Sequence, residues 1–348
     1  MASDEAMMLP TQRPLTDPEI QRILAPLGKV TSHRILSGGT FSAVQAAELA
    51  DGTTVVMKTS VPEATPPERT RLLTYERDML AAERDMLTLL SSVDGVPSPR
   101  LILSDFTRGV ADVDVVVMEH VHGTRWDTAA DRMTPEANAH AWEQVGSIMA
   151  AMQTIEGEVF GYPAHDFALG ARSWPAFFGM LVDATIADAG NWGVDVEPDR
   201  LIDALAASAH ALAAVTTPKL AHNDLWQGNV LLDPSTGQVH GVLDFERALF
   251  GDPLQDFCGA QSMSTGRVEE PLLAGYERAG GFTYREEGSS TPTGFDELAN
   301  ARLTLYRLWS NTVQLIEIVP RGFHGDWVSG HRATLTANRA TLFDQLGV

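Results

Sequence analysis

"AHNDLWQGNVLLD", residues 221–233, places His222, Asn223, Asp224 and Asn229 just ahead of the apolar run Val230, Leu231, Leu232. A plain buried strand does not carry so many hydrogen-bonding groups, because each must find a partner once water is removed. The stretch reads as a polar loop turning into a strand. "DPSTGQ", residues 233–238, then reads as a turn, and Val239 to Leu243 as the returning strand of a hairpin.

His222, Asp224 and Asn229 fit the pattern H-x-D-x-x-x-x-N, and Asp244 follows Asn229 by 15 residues in "VLDFE". This is the order used for phosphoryl transfer in protein kinases, where the loop Asp meets the attacking hydroxyl and the Asn and later Asp hold Mg²⁺. The hairpin supplies the physical reason. Asn229 enters its first strand and Asp244 leaves its second, so two oxygen donors converge. Mg²⁺ is hard and oxygen-seeking, and such a pair suits it. The competing reading is a polar turn that merely caps a hairpin.

Elements upstream favour the chemical reading. Residues 33–59 read as strands around "SGGTFS", where the backbone N–H groups of Ser37, Gly38, Gly39 and Thr40 are placed to cover phosphates. "DGTTVVMKTS" follows an Asp-Gly turn and is β-branched up to Lys58, the position of a phosphate-binding cation. After the Pro-rich break "VPEATPPE", a helix is expected from about Arg69 to Leu90. It carries the local duplication "ERDMLAAERDML", which offers Glu76 and Glu83, seven residues apart, as partners for Lys58. "DVDVVVMEHVHG" reads as a buried strand ending in a polar link at Glu119 to Gly123.

Beyond Gly123 helical periodicity dominates, in "PEANAHAWEQVGSIMAAMQ", "WPAFFGMLVDATIADAG", "DRLIDALAASAHALAAV" and "FDELANARLTLYRLWSNTVQLIEI". Only residues 230–244 are expected to return to strands. The organisation is therefore α+β: a strand-rich lobe, residues 1–121, and a mainly helical lobe, residues 122–348.

The chain has 348 residues and a formal net charge of -21. That acidity argues against a nucleic-acid partner, which needs clustered Lys and Arg. Cys258 is the only cysteine, so no internal disulfide can form, as expected in a reducing cytoplasm. The N-terminal "MASDEAMMLPTQRP" lacks the pattern of a signal peptide, and no apolar run is long enough to suggest a membrane span.

"HNDLWQGNVLLD" followed by "GVLDFERALFGDPLQDF" resembles the aminoglycoside phosphotransferase and choline kinase group, small-molecule enzymes with a bilobal protein-kinase-like fold. "VPSPR", residues 96–100, fits the same group. Asn223 departs from it, standing where the group usually has Gly. "DFE" stands in place of D-F-G, and no A-P-E element follows, which separates the chain from protein kinases.

The resemblance implies ATP or GTP and Mg²⁺ as co-substrate and cofactor. It implies Asp224 as the group that accepts the hydroxyl proton, Asn229 and Asp244 as metal ligands, and Lys58 on the nucleotide phosphates. Met118, Glu119 and Val121 would pair the nucleobase through their backbone. The spacing of the group before "VPSPR" favours Glu83 over Glu76 as the partner of Lys58. Glu246 is a candidate for a second metal or a substrate ammonium. His222 and Asp252 are expected to be structural, Asp252 as a cap ahead of Pro253.

The second lobe should hold the acceptor. It carries 29 acidic against 14 basic side chains, the first lobe 17 against 11. Asp183, Asp188, Asp195, Glu197 and Glu317 are candidate contacts to a polycation; the alternative is a solvated acidic surface. The expected reaction is transfer of the γ-phosphate to a hydroxyl of a small, cationic molecule, an aminoglycoside-type antibiotic first. A macrolide, amino sugar or amino alcohol is the alternative acceptor. A nucleotide-binding pseudokinase acting through partners is the alternative of a different class.

Overall fold

The computed structural model describes residues 11–36, 41–62, 71–285, 289 and 292–348. The expected phosphate-covering turn Ser37, Gly38, Gly39, Thr40 and the expected helix start at Arg69 lie outside the described residues.

A helix, α1 (Asp17–Ile23), precedes a five-stranded antiparallel sheet. Its strands are β1 (Val30–Ile35), β2 (Ala43–Leu49), β3 (Thr54–Thr59), β4 (Leu101–Asp105) and β5 (Val115–Glu119), in spatial order β1-β2-β3-β5-β4. Strand alternation sorts the side chains of β3 and β5 between two faces. Val55, Met57, Val115 and Val117 pack against Ile20, Ile23 and Leu24 around α1. Val56, Lys58, Val116 and Met118 therefore turn to the opposite face, and Lys58 is buried there. Helix α2 (Met79–Leu90) packs on that side, with Met86, Leu87 and Leu90 in the main core.

The expected helix from Arg69 begins ten residues late. Thr74–Glu76 form a short 3₁₀ turn instead. Asp78, with φ 52°, then separates this turn from α2. Tertiary contacts explain the break. The Asp188 carboxylate accepts from Thr74 N–H at 2.7 Å and from its hydroxyl at 2.9 Å, while Glu76 accepts from Leu73 N–H at 2.8 Å. A left-handed residue is least costly at Gly, Asn or Asp, and Asp78 takes it.

The helical part contains α3 (Trp126–Ala129), α4 (Pro135–Met152), α5 (Ala164–Phe167), α6 (Trp174–Trp192), α7 (Pro198–Ala207), α8 (Ala209–Ala213), α9 (Leu254–Ala260), α10 (Glu270–Arg278), α11 (Glu297–Glu317) and α12 (Asp326–Leu346). Helix ends follow local chemistry. Thr134 caps α4 ahead of Pro135, Gly193 closes α6 at φ 64°, and Asp296 accepts from Ala299 N–H at 2.8 Å to start α11. The single helix expected across 199–215 is divided at Ser208, whose ψ of 0° interrupts it.

The expectation of strands only at 230–244 is also too narrow. The hairpin β10 (Val230–Leu232) and β11 (Val239–Val242) is present and gains a third strand, β6 (Thr124–Arg125). A second small sheet joins β7 (Phe160–Gly161), β8 (Gly170–Ala171), β9 (Lys219–Ala221) and β12 (Leu249–Gly251) in the order β8-β7-β12-β9. These strands have two or three residues each, too short to show a period of two. No helix of the described residues is long and apolar enough to cross a membrane.

Candidate active site

The opening stretch is held from three sides. His222 is fully buried, and its Nε2 lies 2.9 Å from the carbonyl of Leu243, one residue before Asp244. Its Nδ1 accepts from Asp224 N–H at 3.3 Å, so Nε2 carries the proton and donates to Leu243. Burial drives its pKa down to about 4, which keeps it neutral. Beneath the loop, the buried Asp256 of α9 accepts from Asn223 N–H at 2.9 Å. Burial pushes the Asp256 carboxyl up to about 7.

Asn223 sits at φ 64°, and its side-chain amide donates to the Tyr162 hydroxyl at 3.2 Å. Asn tolerates this region better than most residues, so the chain keeps the turn where the resemblance expects Gly. Gly259 lets α9 approach: a Cβ there would stand 2.9 Å from Leu225 N.

The hairpin does what the spacing required. Val230 pairs with Val242, and Leu243 N–H donates to the Asn229 carbonyl at 2.8 Å. Asn229 and Asp244 therefore lie at the same end. The Asn229 amide nitrogen donates to the Asp224 carbonyl at 2.8 Å, so its amide oxygen is the atom left over as an acceptor. Asp244 stands at φ 69°, a left-handed conformation that Asp tolerates better than most residues with a Cβ and that turns the chain at the hairpin end.

Lys58 joins the five-stranded sheet to the hairpin. Its Nζ lies 2.5 Å from Asp244 Oδ1, 2.8 Å from Glu83 Oε2 and 2.8 Å from Glu246 Oε2. Burial opposes the ammonium, but the three carboxylates outweigh it and raise the Lys58 pKa well above its usual value. Burial likewise opposes ionisation of Asp244, yet the Lys58 ammonium holds its carboxyl below the usual range. Glu83 and Glu246 are raised, first by burial.

Asp224 is half-buried and reaches about 7, first through loss of solvent and then through the nearby charges of Asp244, Glu317 and Glu246, against the pull of Arg247. All these groups except Glu317 line one cleft of about 440 Å³. Its other wall is apolar, with Val44, Val56, Met118, Val121, Leu231 and Leu243.

Glu119 N–H donates to the Arg100 carbonyl at 2.9 Å, whereas Val121 N–H has no partner among the described residues. The Glu119 side chain is exposed. Trp226, half-exposed, borders the cleft beside Asp224.

Glu76 goes elsewhere. Its carboxylate meets Arg321 and lies 3.5 Å from Arg247 Nη2. Glu317 closes this cluster, 3.0 Å from Arg247 and 3.0 Å from the Tyr75 hydroxyl. The expectation that one helix carries both Glu76 and Glu83 is thus corrected: Glu76 precedes α2.

The acidic acceptor candidates do not converge. Asp183 is exposed on α6 and does not line the cleft. Asp188 holds Thr74, Asp195 accepts from Glu197 N–H, and Glu197 pairs with Arg200. Asp252 accepts from Leu254 N–H as a cap and also pairs with the buried Arg302 at 2.7 Å. Arg247 and Asp256 were not singled out from the sequence. Asp256 follows Asp252 by four residues inside the quoted "GDPLQDF", and Arg247 follows "DFE" directly, so both were within reach.

The lysine, its helix carboxylate and the loop–hairpin–Asp unit together define a kinase-like phosphotransferase. The profile of the Phosphotransferase enzyme family matches residues 33–288, and the chain belongs to that family. Among solved structures it resembles a protein from Ralstonia eutropha JMP134 whose assignment as an aminoglycoside phosphotransferase is provisional. That match has a TM-score of 0.67 at 14% identity and covers 96% of this chain and 99% of the other. A thermostable variant of aminoglycoside phosphotransferase APH(4)-Ia, in complex with AMP-PNP and hygromycin B, matches with a TM-score of 0.61 at 17% identity over 95% and 99% of the two chains. The gentamicin complex of APH(2'')-IIa matches with a TM-score of 0.57 at 16% identity over 95% and 97%. At these identities the likeness is one of fold. No curated protein matches the sequence.

Proposed function

We propose that the protein transfers the γ-phosphate of ATP, or GTP, to a hydroxyl of a small molecule. Residues 1–121 would form the nucleotide lobe and residues 122–348 the acceptor lobe. One observation carries this reading: Lys58, on the sheet, and Asp244, at the hairpin end, meet at 2.5 Å in the same cleft as Asp224.

Asp224 would take the hydroxyl proton as the acceptor oxygen bonds to the γ-phosphorus and the bridging oxygen leaves with ADP. A pKa near 7 suits a base working at neutral pH. Lys58, oriented by Glu83, would bind the phosphates. Met118, Glu119 and Val121 lie beside the space for the base, with the unpartnered N–H of Val121 as its donor.

Mg²⁺ fits the residues present. Oxygen atoms of Glu83, Asp244 and Glu246 lie within 4.8 Å of one another, and one ammonium faces all three carboxylates. Asp244 and Asn229 would hold the ion, with Glu246 beside them; bound there, it would neutralise charge on the phosphates.

The structural relatives support an aminoglycoside as the first acceptor to test. A second reading, a hydroxyl compound without dense positive charge such as a macrolide, is favoured by two observations. Of the acidic candidates, Asp188, Asp195, Glu197 and Glu317 are engaged in structural contacts and Asp183 lies off the cleft, and the Arg247 guanidinium borders the cleft that holds Asp224. Turnover of ATP against a panel of aminoglycosides, macrolides, amino sugars and amino alcohols separates the two. Calorimetry on Asp244→Ala tests the nucleotide site: loss of MgATP binding is expected, and unchanged affinity overturns the metal assignment.

A further inference from the structure

Among the described residues, Trp226 is the one exposed large apolar side chain that borders the catalytic cleft. It stands 39% exposed, although its neighbour Leu225 is buried in the main core. The loop thus sends one apolar side chain inward and the next one out to the cleft.

Gly228 explains how the ring is held. Gln227–Asn229 form a 3₁₀ turn, a conformation open to residues of every kind, and Gly228 is not at positive φ. The turn itself therefore does not require a glycine. The indole does. A Cβ on Gly228 would collide with the Trp226 benzo ring, 2.7 Å from its Cε2 and closer still to Cζ2 and Cη2. The ring is seated on the Gly228 backbone, fixed in place and yet left uncovered.

The loop runs from Asp224, the proposed base, to Asn229, a proposed metal ligand. Trp226 lies between them in sequence and lines the same cleft, so it stands at the reacting end. The space for the nucleobase is bordered instead by Met118, Glu119 and Val121.

An indole face attracts cations and stacks on flat apolar surfaces. A cation here would share the cleft with the Arg247 guanidinium, which stays charged. Cages for quaternary ammonium groups use several rings, whereas the described lining holds one other phenyl or indole ring, Phe41. An uncharged C–H face fits better. Such a face belongs to a sugar-type ring, whose hydroxyl would then lie toward Asp224.

We propose that Trp226, seated on Gly228, is the platform on which the acceptor stacks, and that it selects hydroxylated ring compounds over open-chain amino alcohols. The proposal rests on the reaction and the base proposed above.

The test is steady-state turnover of MgATP with hygromycin B, gentamicin and glucosamine as ring compounds and ethanolamine as the open-chain probe. The ring compounds should be preferred. Trp226→Ala should raise their KM about tenfold, the scale of a lost aromatic contact, and leave kcat and the KM for ATP in place. A general loss of loop structure would not give that split. Trp226→Phe keeps a ring and should recover most of the loss. Gly228→Ala adds one methyl group, displaces the indole and should raise the same KM. Combined with Trp226→Ala it should add nothing, because the two act through one ring. Gly228→Ala and Trp226→Phe carry the test should Trp226→Ala fail to fold. An acceptor KM unmoved by the variants, with turnover still lost in Asp224→Asn, overturns the platform and leaves the reaction standing. Additive effects of Trp226→Ala and Gly228→Ala, or a preference for ethanolamine, likewise overturn it. No turnover of any of the four probes overturns the platform together with the reaction it rests on.

Discussion

The five residues "ERDML" occur twice, at 76–80 and 83–87, and the first three positions of the two copies share neither conformation nor partners. The second copy is helical throughout and points Glu83 at Lys58. The first ends a 3₁₀ turn, passes through left-handed Asp78 and gives Glu76 to Arg321 and Arg247. Local propensity is identical, so tertiary contacts decide. Asp188 fixes Thr74, and Arg321, 1% exposed, requires an anion. One glutamate faces the cleft at Lys58 and its twin is bound to Arg321 of the helical part, with Asp224 and Arg247 at the border between them.

The largest expected effect marks the chemical side of that border. Asp224→Asn keeps shape and removes the base, so turnover should fall by roughly 10²- to 10⁴-fold. Stability should hold or rise, because a carboxylate leaves a site crowded with them. Near-normal turnover would place the proton acceptor elsewhere.

The comparison itself is tested by the paired variants Glu83→Gln and Glu76→Gln. Losing the Glu83 charge frees Lys58 to shift, and a displacement of about 1 Å at a reacting centre costs roughly 10²-fold. Stability should change little, since two carboxylates still face Lys58. Glu76→Gln should do the reverse. It strips a buried arginine of its nearest anion, at a cost of about 3 kcal/mol in denaturant unfolding, with turnover of the folded enzyme within a few-fold. Equal kinetic loss in both would show that the two clusters act as one unit.

The sequence carried the convergence of the cleft residues further than it carried the helix. The hairpin, Lys58 and the three positions Asp224, Asn229 and Asp244 depend on short-range spacing and strand alternation, both legible in a string of letters. The 3₁₀ turn before α2 depends on Asp188 and Arg321, 114 and 245 residues away in the contacts they make, and no local pattern records that. The short strands β7, β8, β9 and β12 fall below the length at which alternation shows. Arg247 and Asp256 lay in plain view beside quoted motifs, but a side chain's role beneath a loop becomes visible only once the loop is folded. The acidic bias of the second lobe was real in composition and misleading in placement, because helix faces scatter it.

A smaller effect should appear with pH. The free enzyme's base should titrate near 7, so kcat/KM should rise about tenfold per pH unit below that value and level off above it. The sign for stability is opposite. A carboxyl raised from about 4 in the unfolded chain holds its proton in the native state across that window while the unfolded chain has lost it, so stability falls as pH rises from about 4 to about 7. Glu83 and Glu246, raised in the same direction, reinforce it. A flat kcat/KM between pH 5 and 8 would separate Asp224 from the titrating base.

The smallest expected effect concerns salt, and it asks whether either cluster serves the acceptor as a cation site. Glu317 is engaged with Arg247 and Tyr75, Glu83 and Glu246 with Lys58, and Asp183 lies off the cleft. What remains to attract a cation is the overall charge of -21, a long-range field without a built pocket. Raising ionic strength from 0.01 M to 0.1 M shortens the Debye length from about 30 Å to about 10 Å. That screens the field, and the KM of a cationic acceptor should rise by no more than about threefold. The KM for ATP, set by close contacts to Lys58 and the metal, should move less. An order-of-magnitude rise in acceptor KM would mean that carboxylates do line the acceptor's path and would favour the polycation over the second reading. No rise at all, with a neutral compound as best acceptor, would make the acidity a matter of surface hydration and leave Arg247 as the charge the acceptor meets.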